Sequence, residues 1–408
     1  MIILITINKM AKEKIVIEAK IEEKKEETLI EKQLKDLIPR LSERIASANI
    51  NFLIGSWISK PYLPTLYDIE TNINNAKNDD EKANEYKEYF EKVMLPNKNI
   101  ISDNFSEESS FEWWEEKWKD NWWIIKDIEK SKEDFESTQK DYKNFLSTLN
   151  QLILDRKTTV LSKQINIFTT NIDIFFEQNL EELELHYNDW FLGKMNPVFD
   201  LSNFKQSIIQ RSHHFDNRSE IPVFNLLKIH GSVNWKYKES ESSNPDRKIY
   251  LSSDLSHLDK GLLKDKSTDF IENYKEQILV VNPEDAKFSE TVLNKYYYEL
   301  LRSYSSELER ENSILFIIGF SMADQHIREI TKRASRSNPT LQIYILLHSK
   351  EKGKKEWEME QLMEVSKNPN IKVIAPIFDK KEDKYNFDLD TITKEIFKKI
   401  NKKFKNEW

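Results

Sequence analysis

The chain has 408 residues, of which 38% are hydrophobic and 32% charged, and its formal net charge is -8. This length allows one large or two ordinary domains with a sizeable buried core. The sequence contains no cysteine, which excludes disulfides, thiolate zinc modules, iron–sulfur clusters and a cysteine nucleophile. The acidic balance disfavours nonspecific nucleic-acid binding, because such binding neutralises phosphates with lysine and arginine.

The first 48 residues are predicted to form an N-terminal extension. Met1 to Ile21 is β-prone, and the apolar spacing from Glu31 to Ala48 is helical. The apolar start Met1 to Ile7 is too short and lacks the basic flank of a signal peptide, so a cytoplasmic location is the default expectation. No apolar run approaches the length of a membrane span.

Residues 49–408 are predicted to form the main domain, with residues 74–149 as a helical insertion. The domain starts with a short buried strand over Asn49 to Gly55. The insertion is rich in charged and aromatic residues and poor in β-branched ones. One helical face within it carries Phe111, Trp114, Trp118, Trp122 and Ile125. Because their neighbours are acidic, this stripe favours helix packing or a subunit contact over stacking on nucleic-acid bases.

Short apolar runs separated by helical patterns follow the insertion. They are Ile165 to Thr169, Leu226 to Ile229, Gln277 to Val281, Ser313 to Ile318, Gln342 to Leu347 and Ile371 to Ile374. This alternation predicts an α/β fold with a Rossmann-like parallel sheet covered by helices on both faces. The polar region around Asn217 to Glu220 is predicted to be a loop, and the lysine-rich tail from Lys394 to Lys405 an amphipathic helix.

Ligands of open parallel sheets bind beyond the carboxyl ends of the strands, so the polar residues after each apolar run are the candidates for a site. Four such junctions stand out. They contain Gly55, Ser56 and Thr65; Thr170, Asn171 and Asp173; His230, Gly231 and Ser232; and Gly319, Ser321, Asp324 and His326. Structural alternatives exist, since Asn171 or Asp173 could cap a helix beginning at Ile174, Gly231 could serve a turn and Ser321 could be an N-cap.

The order of the four junctions resembles the sirtuin-like superfamily, in particular its bacterial branch of NAD-cleaving defence proteins. The similar segments are Thr169-Thr170-Asn171-Ile172-Asp173, Ile229-His230-Gly231-Ser232, Ile318-Gly319-Phe320-Ser321 through Asp324-Gln325-His326-Ile327, and Val281 to Lys287. The resemblance covers about Asn51 to Ile374, interrupted by the insertion.

This resemblance implies cleavage of the bond between nicotinamide and ribose, with NAD as substrate and no metal. Asn171 would orient the nicotinamide ribose and the water, Asp173 would bind the nicotinamide amide or order the Asn171 loop, and His230 would be the general base. The remaining candidates would contact NAD; they are Gly55, Ser56, Thr65, Thr170, Gly231, Ser232, Gly319, Ser321 and Asp324.

Two departures from the sirtuin pattern bear on function. The first loop has Ile54, Ser56 and Tyr62 where sirtuins carry glycines, and Trp57 adds bulk, so either the path of the loop or its nucleotide affinity differs. The absence of cysteine removes the zinc module of protein-deacylating sirtuins. This favours hydrolysis of NAD by water over deacylation.

The leading prediction is therefore an NAD hydrolase in bacterial antiviral defence. The resemblance implies control by oligomerisation or by a partner, including the ring-forming DNA-translocase ATPase of some family members. The alternatives are a module that senses NAD or ADP-ribose without turnover and, third, a protein deacylase. The adjacent His213 and His214 lack further ligands at metal spacing and favour a loop, and no Walker-type loop or Gly-x-Ser-x-Gly elbow occurs.

Overall fold

The computed structural model describes residues 34–65, 67–102, 123–156, 158, 160–212, 217–237, 248–282, 295–348, 354–376 and 386–407. The β-prone start, the side chains of the aromatic stripe and the pair His213 and His214 lie outside the described residues. None of the described helices is both long and apolar enough to cross a membrane.

The described strands form one large parallel sheet and two small antiparallel ones. In chain order they are β1 Asn49–Ile54, β2 Gln164–Thr169, β3 Tyr187–Asn188, β4 Phe191–Leu192, β5 Val198–Phe199, β6 Ile208–Arg211, β7 Arg218–Ile221, β8 Val223–Lys228, β9 Trp235–Tyr237, β10 Ile249–Leu251, β11 Ser313–Ile318, β12 Gln342–Leu346 and β13 Ile371–Ile374. The large sheet has the order β13-β12-β11-β1-β2-β8-β3, with every neighbouring pair parallel. The predicted parallel sheet is confirmed.

The described α-helices are α1 Leu37–Ala46, α2 Tyr67–Asn75, α3 Asp79–Tyr89, α4 Asn97–Ser102, α5 Trp123–Asp155, α6 Phe175–Glu182, α7 Ser267–Gln277, α8 Lys295–Glu309, α9 Gln325–Ser337, α10 Lys354–Leu362, α11 Leu389–Ile392 and α12 Lys398–Glu407. Four of them, α2 to α5, lie between β1 and β2. The described part of the predicted insertion is thus largely helical, and its last helix, α5, continues past residue 149 to Asp155.

Both faces of the large sheet are covered, which explains why its strands read as continuous apolar runs. Alternate residues of each strand enter two separate apolar clusters. On one face Phe52 and Phe316 pack with residues of α1, α5 and the C-terminal helices, and on the other Leu53 and Ile317 pack with residues of α8 and α9. The amphipathic tail is confirmed by its four buried apolar residues, Ile396, Phe397, Ile400 and Phe404.

A buried asparagine ladder fixes the register of three adjacent strands, β1, β2 and β8, each of which leads into a loop of the candidate site. Asn51 of β1 lies opposite Asn166 of β2, which in turn lies opposite Asn225 of β8. The Asn166 Nδ2 donates to the Asn51 Oδ1 at 2.8 Å, and the Asn225 Nδ2 donates to the Asn166 Oδ1 at 2.8 Å. A shift of one residue would leave these amides without partners, so the ladder sets which residues emerge at the strand ends.

Two predictions about secondary structure are wrong. The run Gln277 to Val281 is not a strand of the large sheet, because α7 ends at Gln277 and the residues after it form one isolated antiparallel bridge between Val280 and Gly231. The polar region around Asn217 to Glu220 is not a loop. It belongs to β7, which pairs with β6 in an exposed hairpin that buries little and so needs few apolar residues.

Candidate functional site

Four loops that follow parallel strands meet at one edge of the large sheet. Ile54 of β1 pairs with Thr169 of β2 and with Ile318 of β11. On the other side, Thr169 pairs with Lys228 of β8. The strand order reverses between β1 and β11, and such a switch point is where open α/β sheets form a ligand crevice. The four predicted junctions are therefore neighbours in space.

The first loop, which follows β1, packs against the loop after β11. The amide of Gly55 donates to the Ile318 carbonyl at 3.0 Å, and the amide of Trp57 donates to the Gly319 carbonyl at 3.3 Å. A Cβ on Gly55 would lie 2.5 Å from the Gly319 carbonyl oxygen, so only glycine permits this approach. The amides of Gly55 and Trp57 thus bind protein, and Ser56 between them is half-buried.

The side chain of Trp57 points away from the loops that follow β2 and β8. Its indole stacks on the imidazole of His348 with ring centroids 4.7 Å apart, and the Lys60 ammonium lies 4.1 Å from the indole centroid. His348 follows β12, which lies on the far side of β11 from β2. The bulk that the sequence places in the first loop therefore faces the β12 side of the crevice.

Asn171 lies in the turn after β2 with its side chain 4% exposed. Its backbone amide donates to the Thr169 hydroxyl at 3.0 Å, and that hydroxyl donates to the Ile54 carbonyl at 3.0 Å. The Asn171 Nδ2 donates to the Ser59 hydroxyl at 3.1 Å. The Asn171 Oδ1 is buried and has no hydrogen-bond partner among the described residues. Because an unsatisfied buried acceptor is costly, this oxygen is placed to accept from a ligand hydroxyl or a water.

Ser59 connects the first loop, the Asn171 turn and the insertion. Its Oγ lies 2.8 Å from the Asp173 Oδ2 and 2.8 Å from the Tyr142 hydroxyl on α5. Since Ser59 donates its one proton to the carboxylate, it accepts from both Asn171 and Tyr142. The Asp173 Oδ1 accepts from the Phe175 amide at 3.2 Å. Both oxygens of Asp173 therefore bind donors within the chain, as expected of a residue that orders the Asn171 loop.

The protonation of this hydrogen-bonded set follows from its burial. Burial raises the pKa of Asp173, while the charge of Lys228 and the hydrogen bond from Ser59 oppose that rise. Burial also raises the pKa of Tyr142 well above its usual value, and the charge of Asp173 adds to the effect. Tyr142 therefore stays protonated near neutral pH and remains a donor to Ser59.

Replacing Ser59 with alanine is expected to lower the free energy of unfolding by about 1–3 kcal/mol, because Asp173 loses a donor and Asn171 and Tyr142 lose an acceptor. Urea unfolding followed by circular dichroism measures the loss. Tyr142→Phe should cost about 1 kcal/mol, and Ser56→Ala, on the same loop but outside these bonds, less than about 0.5 kcal/mol. Equal losses for Ser59→Ala and Ser56→Ala would contradict the assignment.

A buried ion pair holds the turn that contains Asn171 and Asp173. The Lys228 Nζ lies 3.0 Å from the Glu177 Oε1 and also donates to the carbonyl of Asp173. The two charged side chains are only 3% and 11% exposed. Burial raises the pKa of Glu177, and the charge of Lys228 opposes that rise. The pair thus joins the end of β8 to α6 and to the turn that holds Asp173.

His230 lies in the turn after β8 and is 6% exposed. The next residue, Gly231, has a φ of +77°, and a Cβ there would overlap the carbonyl oxygen of Leu279, so this position requires glycine. The Val281 amide donates to the His230 carbonyl at 2.8 Å. The segment wrongly predicted as a strand therefore fixes the backbone of the His230 turn.

The His230 and Asn171 turns are bonded to each other. The Ser232 hydroxyl and the Val233 amide donate to the Ile172 carbonyl at 3.3 Å and 3.0 Å. The Thr170 amide donates to the Ile54 carbonyl at 3.1 Å, which extends the β1–β2 pairing into the second loop. Thr170, Gly231 and Ser232 thus hold the loops together, and a direct contact of theirs with NAD stays a prediction.

His257 packs behind the His230 turn and makes the stability of this region sensitive to pH. Its Nε2 donates to the Val233 carbonyl at 2.8 Å. Burial lowers the pKa of His257 from 6.5 to about 4. The unfolded chain therefore binds a proton between about pH 6.5 and 4 that the folded chain does not. Stability is present above pH 6.5 and is lost as the pH falls towards 4.

Acidification from pH 7 to 4 is accordingly expected to remove up to about 3 kcal/mol of stability through His257 alone. Urea unfolding at a series of pH values measures this loss. In His257→Gln, whose side-chain amide can still donate to Val233, the slope between pH 6.5 and 4 should be shallower. An unchanged slope would show that other groups cause the pH dependence.

The third loop, which follows β11, reaches across the mouth of the crevice. Two strands separate β11 from β8, so their axes are about 14 Å apart. The ligand atoms of His230, Asp324 and His326 nevertheless lie within 4.8 Å of one another. Asp324 is the N-cap residue of α9, so the alternative of Ser321 as N-cap is wrong. Ser321 is exposed, and its Oγ accepts from the Ala323 amide at 3.4 Å.

The structure thus places most of the predicted residues at one strand edge. No hydrogen bond among the described residues joins Thr65 to the other candidates, so its contact with NAD stays a prediction. Sequence reasoning missed Ser59, Tyr142 and the Lys228–Glu177 pair as supports of the site. It also gave His326 no role, although the Asp-x-His spacing at a helix start could have indicated a shared cluster with His230.

Comparisons with known proteins bear on this geometry. A profile of the SIR2-like domain matches residues 165–374, which is just over half of the chain. A solved chain described under "Structural Basis for the Mechanism and Regulation of Sir2 Enzymes" aligns with 91% of this chain and 100% of its own length, with 9% sequence identity and a TM-score of 0.38. No curated protein matches the chain. The profile spans β2 to β13, so the first loop lies outside it.

Proposed function

The chain belongs to the SIR2-like domain family, and from that premise we propose that it hydrolyses NAD to ADP-ribose and nicotinamide. Members of this family use NAD. The observation that carries the proposal is the buried Oδ1 of Asn171, an acceptor without a partner among the described residues, in a turn that is bonded to the turn of His230. An amide oxygen and an imidazole in two turns that are bonded to each other suit the positioning and deprotonation of a water.

In the proposed reaction the bond between nicotinamide and ribose breaks and a bond from water to the ribose forms. Asn171 holds the water or a ribose hydroxyl through its Oδ1. His230 accepts the proton that the water loses, so the products are ADP-ribose, nicotinamide and one proton. Asp173 fixes the Asn171 turn through Ser59 and the Phe175 amide.

The nucleotide half of NAD is assigned to the edge formed by the third loop. Gly319, the exposed Ser321 and Asp324 lead into α9, whose N-terminal amides favour an anion. Hydrolysis is preferred to deacylation because the sequence has no cysteine and hence no cysteine-bound zinc module. A role in antiviral defence, and control by oligomerisation or a ring-forming ATPase partner, are supported by the family resemblance alone.

A second candidate function is a module that senses NAD or ADP-ribose without turnover. The first loop favours it, since the amide of Gly55 already donates to the end of β11 and that of Trp57 to the third loop, so neither is available to a pyrophosphate. Binding would then depend on the third loop and on α9. The two candidates differ in a single property, which is whether bound NAD is cleaved.

Incubation of the full chain with NAD, in parallel with a binding titration, separates these functions. Nicotinamide and ADP-ribose in equal amounts, unaffected by an acetylated peptide, support hydrolysis. Saturable NAD binding without nicotinamide release, alone and with candidate partners, supports the sensing module. Release of nicotinamide only when the peptide is present supports deacylation and contradicts the proposal.

A further inference from the structure

Three side chains from two distant loops form a compact cluster at the mouth of the crevice. They are His230 after β8, and Asp324 and His326 at the start of α9. Each offers one ligand atom, and the three atoms lie within 4.8 Å of one another. The imidazoles are 6% and 9% exposed, with ring centroids 6.1 Å apart, and Asp324 is half-buried.

The sheet alone does not bring these residues together, because β8 and β11 are about 14 Å apart. The backbone conformation of the third loop brings them together. Gly319 has a φ of +66°, and Met322, a buried non-glycine residue, has a φ of +57° in the left-handed region. The Arg328 Nη1 donates to the Met322 carbonyl at 2.6 Å and holds this turn. The shape of this turn therefore determines where Asp324 and His326 lie.

The donor set is that of a transition-metal site. Two imidazole nitrogens and one carboxylate oxygen suit Zn²⁺ and its neighbours, whereas Mg²⁺ and Ca²⁺ prefer oxygen ligands. Ligand atoms around a tetrahedral ion at 2.0–2.1 Å are about 3.4 Å apart. The cluster lies within 4.8 Å, so small side-chain rotations close the remaining distance, and three protein ligands leave one position open.

We propose that His230, Asp324 and His326 bind one divalent transition-metal ion of the Zn²⁺ class. The proposal does not depend on NAD cleavage, although the two are connected through His230. A metal-bound imidazole cannot also accept a proton at the same nitrogen, so an ion here blocks the base that hydrolysis requires. The alternative is a cluster held by hydrogen bonds between the carboxylate and the imidazoles, which would bind no ion.

The test uses the full chain, stripped of metal with a chelator and desalted, and titrated with Zn²⁺ by calorimetry and with Co²⁺ by visible absorption. One equivalent is expected to bind, and Co²⁺ should give the intense bands of a four- or five-coordinate ion. Loss of even an outer-shell partner lowers metal affinity about 10–100-fold, so His326→Ala and Asp324→Asn should each weaken binding at least about tenfold.

Controls address folding and adventitious sites. His186→Ala removes an exposed histidine at the opposite end of the sheet and should leave affinity unchanged. The double variant His213→Ala/His214→Ala tests the adjacent histidine pair and should also bind normally. Circular dichroism verifies that each variant is folded, and Asp324→Asn keeps the size of the side chain. The proposal is overturned if the wild type binds no equivalent of metal, or if folded His326→Ala and Asp324→Asn both bind it with wild-type affinity. It is also overturned if only the His213→Ala/His214→Ala variant loses binding.

Discussion

Replacing His230 with alanine is expected to lower kcat/KM for NAD hydrolysis by about 10²–10⁴-fold, the usual contribution of a general base. Asn171→Ala should cause a loss of similar size, because a water or ribose hydroxyl that has lost its acceptor is no longer held in position. Nicotinamide release over time measures both effects. The loss should appear mainly in kcat, since neither residue lies on the edge assigned to the nucleotide half of NAD.

The control for this prediction is His186→Ala, which removes an exposed histidine directly before β3. It should hydrolyse NAD at the wild-type rate. Urea unfolding must also show that His230→Ala and Asn171→Ala remain folded. Wild-type kcat in either folded variant would refute the assignment of that residue to the site.

Replacing Lys228 with methionine is expected to destabilise the chain by about 3–5 kcal/mol, because the buried Glu177 is left without its counter-charge. The Asp173 carbonyl loses a donor in the same substitution. Burial already raises the pKa of Glu177 in the presence of Lys228. Without the lysine, the pKa of Glu177 is expected to rise further, so that the carboxylate takes up a proton or pulls the turn open. Urea unfolding measures the stability.

The matched variant Lys228→Met/Glu177→Leu separates charge from packing. Removal of both charges should restore much of the stability lost in the single variant, because no unpaired charge remains buried. The pair also holds the Asp173 turn, so the double variant should still hydrolyse NAD more slowly than the wild type. If the double variant were less stable than Lys228→Met, the cost would lie in packing and not in the unpaired carboxylate.

The six longer strands of the large sheet could be predicted, because burial on both faces produces a continuous apolar run in the sequence. In β11, for example, Ser313–Ile318 is buried throughout and its predicted bounds are those of the structure. Gln277 to Val281 is also an apolar run, but for a different reason. It is buried against the His230 turn and is not in the large sheet, and an apolar run alone does not distinguish these two settings.

The shortest strands could not be predicted, whether at the edge of the large sheet or in the small antiparallel sheets. Tyr187–Asn188, Phe191–Leu192 and Val198–Phe199 have two residues each, which is too short for an alternating pattern. The hairpin of β6 and β7 is exposed, so its polar residues read as a loop. In both cases hydrogen bonding to a partner strand, and not local apolar periodicity, determines the strand.

The candidate site could be predicted only in its strand-end residues. Asn171 and His230 follow apolar runs directly, and parallel strands bring such positions to one edge. Ser59 and Tyr142 are 83 residues apart in the chain, and no local pattern relates them. The approach of His326 to His230 likewise depends on the left-handed turn at Met322, which the sequence did not reveal. Sequence patterns therefore miss the side chains that lie on other helices or loops and hold the site residues in place.

The most direct test of the central claim is the simultaneous measurement of NAD, nicotinamide and ADP-ribose over time with the wild-type chain and with Asn171→Ala. The wild type, in its active state, is expected to convert NAD to the two products in a one-to-one ratio, and folded Asn171→Ala is expected to leave NAD intact. NAD hydrolysis at this site would be contradicted if the wild type bound NAD under every condition and never cleaved it, or if Asn171→Ala cleaved NAD at the wild-type rate.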